Sequence, residues 1–242
     1  MKFTQLSVLM MLFFMTACSP GQLQNVVKDA KDVLGSNVPL TNAQIGNGLK
    51  EALEIGIGKG AAQLSALDGY FASPYKILLP PEARQITDKL QKVPGFKQVE
   101  NEIVKRLNRG AEEAAKKAKP IFVNAIKGMS ITDATKILTG GQDAATAFLK
   151  DETLTELTNS FNPVIQESLD KFQARKYWSD AVNKYNKLPF VTKANPNLDE
   201  YVTQEALKGL FSMVEKEEAN IRTNVSARTS DLLKKVFAKQ DK

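Results

Sequence analysis

Along most of the chain, apolar residues recur every three or four positions, which is the spacing of one buried face of an α-helix. From Thr41, which forms a capping-box pattern with Gln44, this spacing predicts a helix to about Ala61. It also predicts a long helical segment from Lys97 that Pro120 kinks or restarts. No alternating apolar run is long enough for a strand. The pattern therefore predicts an all-α fold, a multi-helix bundle with kinked long helices and no significant sheet.

Shorter helices complete the predicted bundle. They are expected at about residues 23–34, 82–93, 153–161, 163–175 and 177–188. The helices at 153–161 and 163–175 are expected to be separated at Asn162–Pro163, because proline has no backbone N–H to continue the helical hydrogen bonds. A long helix is expected from Asn197 to Glu218 or beyond, followed by a final helix from about Ser226.

The least generic stretch, Ser130 to Leu149, reads as two helices around a glycine pair. Ser130 with Asp133 is predicted to cap a helix that ends at Leu138. Gly140 or Gly141 is expected to take a left-handed turn. Asp143 would then lie in the first turn of the next helix, where its charge suits the helix dipole, and that helix would run to about Lys150.

Three glycines, Gly56, Gly58 and Gly60, alternate within the first helix of the predicted 41–242 domain. Their spacing is not that of a dinucleotide-binding loop, and no strand precedes them. We therefore interpret them as small residues that allow another helix to approach closely.

The first residues are typical of an export signal. Lys2 precedes an apolar run from Leu6 to Met15, too short to span a bilayer, and small residues then lead to Cys18. This pattern resembles a bacterial lipoprotein signal, in which cleavage before the cysteine leaves a thiol that carries lipid; an ordinary signal peptide is the alternative. We expect a signal peptide at 1–17, a lipidated tether with a short helix at 18–40, and one helical domain at 41–242. Because Ser19 is not aspartate, the expected location is the periplasmic side of the envelope, anchored in the outer membrane.

Composition excludes several kinds of chemistry. The chain has no histidine and one cysteine, so it cannot build a Ser-His-Asp triad, a histidine metal site or an internal disulfide. We expect no cofactor and no metal. The net charge of +6 is mildly basic, and because the basic residues are spread along the chain we expect no nucleic-acid partner.

Several motifs in order resemble a known family. They include Gly48 to Leu53, Asn108-Arg109 with Ala111-Glu112, Gly140 to Thr146, Phe161 to Val164, Glu218 with Ile221-Arg222, and Arg228-Thr229. From about Asn47 to Phe237 the chain resembles the bacterial envelope family catalogued as domain of unknown function 4197. The resemblance implies a helical lipoprotein, and it implies no activity because the family has none assigned.

The candidate site therefore rests on the polar residues themselves. They are Asn108, Arg109, Glu112, Asp133, Asp143, Thr146, Glu218, Arg222 and Arg228. One interpretation is that they form ion pairs and caps that tie the 130–149 stretch to its neighbours. A second interpretation is that they line a polar cleft whose arginines bind an anionic ligand. A third pairs Glu112 with Asp133 or Asp143 for glycoside cleavage, or uses the same oxygens to hold a hard cation.

These observations favour a non-enzymatic binding or scaffolding role. The expected partners are the membrane, through acylated Cys18, and an envelope protein, a lipid or peptidoglycan. One alternative is a carboxylate-based hydrolase of cell-wall glycans. Another is a carrier of hydrophobic small molecules, which would require an internal apolar cavity.

Overall fold

The structure is a computed structural model, and it describes residues 40–83, 96–171, 173–187, 189–190 and 192–238. The described residues contain no strand, which confirms the all-α prediction. Their helices are α1 (Asn42–Ser65), α2 (Phe96–Ala115), α3 (Ala118–Gly128), α4 (Ile131–Thr139), α5 (Ala144–Asp170), α6 (Ala174–Tyr185), α7 (Leu198–Thr223) and α8 (Asp231–Phe237).

Some predictions fall outside these ranges. The signal peptide, Cys18 and the helix at 23–34 lie outside the described residues. The helix predicted at about 82–93 is described only at its start, where residues 81–83 are helical. Within the described part of the chain, no helix combines the length and the apolar character needed to cross a bilayer.

The bundle is built around α1, α5 and α7. Helix α5 packs along α7 and also against α2, whereas α1 packs against α7, α3, α4 and α8. Periodic apolar residues of α5, including Leu149, Leu157, Phe161 and Ile165, are fully buried between these neighbours. Burial of this continuous stripe is the main force that holds α5 in place.

Helix α1 begins and packs as its sequence predicts. The Thr41 hydroxyl accepts a hydrogen bond from Gln44 N, and the Gln44 side chain accepts one from Thr41 N, which completes the capping box. Gly60 faces α7 so closely that a Cβ there would lie 2.9 Å from Met213 Cγ. The prediction of close helix packing at this glycine is therefore confirmed.

The predicted break at Asn162–Pro163 is wrong. Helix α5 continues through Pro163 to Asp170. An interior proline costs a helix about 3 kcal/mol through its missing N–H and its ring. Here Phe161 and Ile165, on either side of the proline, are both fully buried. Breaking the helix would withdraw one of them from the core, so packing keeps the helix continuous.

The 130–149 stretch is predicted correctly at its first cap only. Ser130 and Asp133 form a capping box, but the helix ends at Thr139 rather than Leu138. Gly140 has φ −80° and ψ −169°, which is extended backbone, and Gly141 is not left-handed either. Glycine is needed at 140 for space, because a Cβ would lie 2.8 Å from both Ala144 Cβ and Lys136 O.

Other helix boundaries also differ from the prediction. A separation between Ala115 and Ala118 confirms that the segment restarts near Pro120. Helix α6 begins and ends three residues before the predicted 177–188. The final helix starts at Asp231 and not at Ser226, because residues 225–227 form a 3₁₀ turn and the Ser230 hydroxyl caps Leu233 N.

Candidate functional site

The nine candidate polar residues lie in two largely buried networks and at the amino termini of two helices. The first network contains Asn108, Arg109 and Glu112; the second contains Thr146, Glu218, Arg222 and Arg228; the caps are at Asp133 and Asp143. The surroundings of each polar group decide whether it supports the fold or faces a ligand.

In the first network, Asn108 holds the loop that follows α1. Its Oδ1 accepts a hydrogen bond from Ile77 N at 2.8 Å, and its Nδ2 donates to Ile77 O at 2.8 Å and to Val104 O at 2.7 Å. The side chain is fully buried. Asn108 therefore replaces the backbone partners that Ile77 would have in a sheet, and this accounts for its burial.

Glu112 holds the turn before that loop. Its Oε1 accepts hydrogen bonds from Tyr70 N at 3.2 Å and Phe71 N at 3.1 Å, and its Oε2 pairs with the Arg109 guanidinium. Arg109 also donates to Asp68 Oδ1 at 2.7 Å. These two carboxylate partners raise the pKa of Arg109 above its usual range. Both carboxylate oxygens of Glu112 are thus occupied, one by the backbone of the turn and the other by Arg109.

Tyr70 joins this turn to α7. It is fully buried, and its hydroxyl donates a hydrogen bond to Ala206 O at 2.7 Å. Burial, and then the nearby charge of Glu112, raise the pKa of the Tyr70 hydroxyl far above its ordinary value. The sequence prediction missed Tyr70, because no local pattern shows that residue 70 lies beside residues 112 and 206.

The second network caps α5 from another helix. Glu218 on α7 accepts hydrogen bonds from Ala145 N at 2.9 Å and Thr146 N at 2.8 Å, and also from the Thr146 hydroxyl at 2.8 Å. A carboxylate at a helix amino terminus satisfies unpaired N–H groups and opposes the positive end of the helix dipole. Asp143, whose charge was expected to interact favourably with the helix dipole, makes no side-chain cap hydrogen bond.

Two arginines extend this network to other helix ends. Arg222 donates to Glu218 Oε1 at 2.8 Å and to Ile137 O at 2.8 Å, near the carboxyl end of α4. Arg228, which is 1% exposed, donates to Ile221 O at 3.0 Å and Arg222 O at 2.9 Å, near the end of α7. Both guanidinium groups lie beside the last carbonyls of a helix, where the helix dipole is negative.

The two aspartates stand apart from both networks. Asp133 is half-buried and accepts hydrogen bonds from the Ser130 hydroxyl and N–H, which lower the pKa of its carboxyl group. Asp143 is exposed at the start of α5. Among the described residues, neither aspartate shares a hydrogen-bond partner with Glu112. The carboxylate pair considered for glycoside cleavage therefore stays a prediction.

A surface groove of about 700 Å³ runs between α5 and α7. Its apolar residues are Ala147, Leu154, Leu207 and Phe211, and Leu154 is 38% exposed. Charged residues of both signs accompany them: Asp143, Lys150, Glu200, Lys208 and Glu215. We call this the α5–α7 groove. Neither Glu112 nor any arginine of the two networks lines it.

Thr146 connects the second network to the α5–α7 groove. It lines the groove, but its hydroxyl hydrogen is committed to Glu218. Because Glu218 joins α7 to the start of α5, it fixes the separation of the two helices at this end of the groove. The second network therefore supports the α5–α7 groove from inside the bundle. The groove itself faces solvent.

The comparisons with known proteins agree with the motifs. A family model described as protein of unknown function, DUF4197, matches residues 39–238. The chain belongs to the DUF4197 family. No curated protein matches it, and no solved structure matches it. In this DUF4197 chain, the motif residues Asn108, Glu112, Glu218, Arg222 and Arg228 are all buried.

The geometry also bears on metal binding and on residues that sequence reasoning missed. In the described part of this DUF4197 chain, no three or more cysteine or acidic side chains form a group that could hold a metal ion. The buried Thr203 hydroxyl and Asn162 amide oxygen, in residues that line the α5–α7 groove, have no hydrogen-bond partner among the described residues. Their positions depend on how two helices pack, and the sequence shows no signal for them.

Proposed function

We propose that the protein is a non-enzymatic binding domain of the cell envelope, tethered through acylated Cys18, whose α5–α7 groove holds a peptide segment of an envelope protein. The observation that carries the proposal is the composition of the groove. Leu154 is exposed beside Leu207 and Phe211, and lysines and carboxylates lie around them. A peptide offers apolar side chains, charges and backbone polar groups along its length, so it fits such a mixed surface.

The shape of the groove favours a peptide over a hydrophobic small molecule. Lys150, Lys208, Ser212 and Glu215 in its lining are exposed, so the groove is open along its length. Pockets for small apolar ligands are usually concave and bury most of the ligand surface. A small pocket lined by Leu53 and Phe237, among others, has a volume of only about 10 Å³, too small for a lipid chain.

The two networks favour binding over catalysis. Glu112 and Glu218 each accept hydrogen bonds from two backbone N–H groups and pair with an arginine. A general acid or nucleophile must reach a substrate atom within hydrogen-bond distance. Carboxylates that already hold two chain segments together are poorly placed for this work, so we assign Glu112 to the support of the fold and Glu218 to the support of the groove.

The tether rests on the sequence. Cys18 follows the apolar run at the position where a lipoprotein signal is cleaved. Several acyl chains on one cysteine would hold the domain firmly at a membrane surface. A domain held in this way meets envelope proteins at high local concentration, so a groove of modest affinity is sufficient.

Comparative capture tests the proposal. Tagged wild-type protein, Leu154→Arg and Ile131→Arg would each be used to isolate partners from solubilised envelopes. Ile131 is 52% exposed and does not line the groove, so it serves as a matched control. We expect a partner that wild type and Ile131→Arg retain and Leu154→Arg loses. Equal recovery of every partner by all three proteins would contradict the groove assignment.

A further inference from the structure

Basic residues are spread along the chain, but in one segment few acidic residues accompany them. Residues 171–193 contain six lysines and arginines and one aspartate, so this segment has a net charge of +5, whereas the whole chain has +6. Arg175 is paired with Asp170, and Lys171 with Glu167. Three other lysines of the segment are exposed and make no ion pair with any described residue: Lys176, Lys187 and Lys193.

Two of these lysines flank an exposed aromatic side chain. Phe190 lies between Lys187 and Lys193, in the loop from α6 to α7, and its side chain is fully exposed. Its φ of 61° is left-handed, a conformation that bulky residues rarely adopt. We call the described residues 187, 189–190 and 192–193 the Phe190 loop.

The base of the Phe190 loop is held by hydrogen bonds. Asn186 Nδ2 donates to Ala194 O at 2.9 Å, and Asn186 Oδ1 accepts from Ala194 N at 2.9 Å. Next to this pair, the indole N–H of Trp178 donates to Asn195 O at 3.0 Å. The two ends of the loop are therefore fixed, and between them the sequence places an exposed aromatic ring three residues from each of two exposed lysines.

From this arrangement we infer that the Phe190 loop docks the domain on the surface of an anionic lipid bilayer. Lysine ammonium groups are attracted to anionic headgroups, and an aromatic ring gains free energy when it leaves water for the boundary of the acyl chains. A polyanion without apolar groups, such as a polyphosphate, would use the lysines alone and would leave Phe190 in water. The lipid surface uses both features, so it is the occupant to which we commit.

The inference goes beyond the proposed function and does not depend on the α5–α7 groove, because Phe190, Lys187 and Lys193 do not line the groove. It describes a second contact with a membrane, separate from the lipid on Cys18. Its failure would leave the groove assignment untouched, and the reverse also holds.

Vesicle cosedimentation tests the inference. The chain from residue 18 onward, with Cys18→Ser to remove acylation, would be mixed with vesicles of phosphatidylglycerol and phosphatidylethanolamine, or of phosphatidylcholine. We expect binding to the anionic vesicles, weakened about tenfold or more by Phe190→Ser. Lys187→Glu and Lys193→Glu should each weaken binding about fivefold or more. Trp178 is the only tryptophan, so its fluorescence gives a second readout of the loop.

Leu67→Ser is the matched control. Leu67 is 77% exposed and is followed by Asp68 rather than flanked by lysines, so its loss should leave vesicle binding unchanged. Equal effects of Leu67→Ser and Phe190→Ser would overturn the inference. So would charge reversal at Lys187 and Lys193 that abolishes binding while Phe190→Ser has no effect, because that result indicates a general polyanion site. Absence of binding to anionic vesicles would also overturn it.

Discussion

Glu218 caps the amino terminus of a helix that begins more than seventy residues earlier in the chain. Its Oε2 accepts hydrogen bonds from both the N–H and the hydroxyl of Thr146, each at 2.8 Å, across a separation of 72 residues. The same carboxylate pairs with Arg222 through Oε1, and both side chains are nearly fully buried. A single acidic group thus joins α5, α7 and the end of α4.

This position predicts a large loss of stability for Glu218→Ala. The change leaves the Arg222 guanidinium buried without its carboxylate and removes the acceptor of two helix N–H groups. Breaking a buried pair in this way costs about 3–5 kcal/mol. Urea denaturation followed by circular dichroism would measure the loss.

Glu167→Ala is the matched control for that experiment. Glu167 also pairs with a basic residue four positions later, Lys171, but both side chains are well exposed. Exposed helix pairs contribute about 0.3–0.5 kcal/mol. Similar losses for the two variants would contradict the role of Glu218. If Glu218→Ala does not fold, Glu218→Gln should give an intermediate loss.

We predict that the wild type and Tyr70→Phe differ in how their stability changes at alkaline pH. Its folded pKa is raised far above the ordinary 10.0, so its hydroxyl favours folding fully below pH 10 and loses this effect as pH rises further. Between pH 10 and 11, wild type should lose up to about 1.4 kcal/mol more than Tyr70→Phe. At neutral pH the variant should be less stable by about 1 kcal/mol, because it lacks the hydrogen bond to Ala206 O. Parallel curves of unfolding free energy against pH would contradict this account.

Gly60→Ala should destabilise the domain, because α1 and α7 pack closely at this glycine. The added Cβ would lie 2.9 Å from Met213 Cγ, so α7 or the methionine must move. Overpacking of this kind typically costs about 1–3 kcal/mol. Gly128→Ala is the control, because nothing lies within 4 Å of its added Cβ, and it should be neutral or slightly stabilising. Thermal unfolding of the two variants would separate these outcomes.

Thr203→Val is predicted to stabilise the domain. The Thr203 hydroxyl is buried and has no partner among the described residues, so its removal relieves an unsatisfied group worth about 1 kcal/mol or more. Thr153 is equally buried, but its hydroxyl donates to Leu149 O. Thr153→Val should therefore destabilise by about 1 kcal/mol. Opposite signs in chemical denaturation would support the account, and the same sign in both would contradict it.

Local signals in the sequence predicted most helices and some of their caps. Thr41 with Gln44 and Ser130 with Asp133 form capping boxes within four residues, so the sequence contains the whole motif. The apolar spacing predicted the buried stripes for the same reason. Features that depend on distant residues were missed. The cap on α5 comes from Glu218, and a local reading assigned it to Asp143.

The errors in the fold share that cause. Pro163 predicts a break when helix propensity is considered alone. The burial of Phe161 and Ile165 outweighs that propensity and keeps the helix continuous. Gly140 or Gly141 was expected to be left-handed, but neither is, and glycine is required at 140 because Ala144 and Lys136 lie close by. The α5–α7 groove could not be predicted either, because its lining depends on which faces of two helices meet.

The most direct test of the groove is photocrosslinking in intact cells. A photoreactive amino acid at Leu154, inside the α5–α7 groove, would be compared with the same amino acid at Ile131, which is exposed elsewhere. We predict a discrete crosslinked protein partner at Leu154 and none at Ile131. Absence of a partner at Leu154, or the same partner with equal yield at both positions, would contradict the assignment of the groove as a binding site.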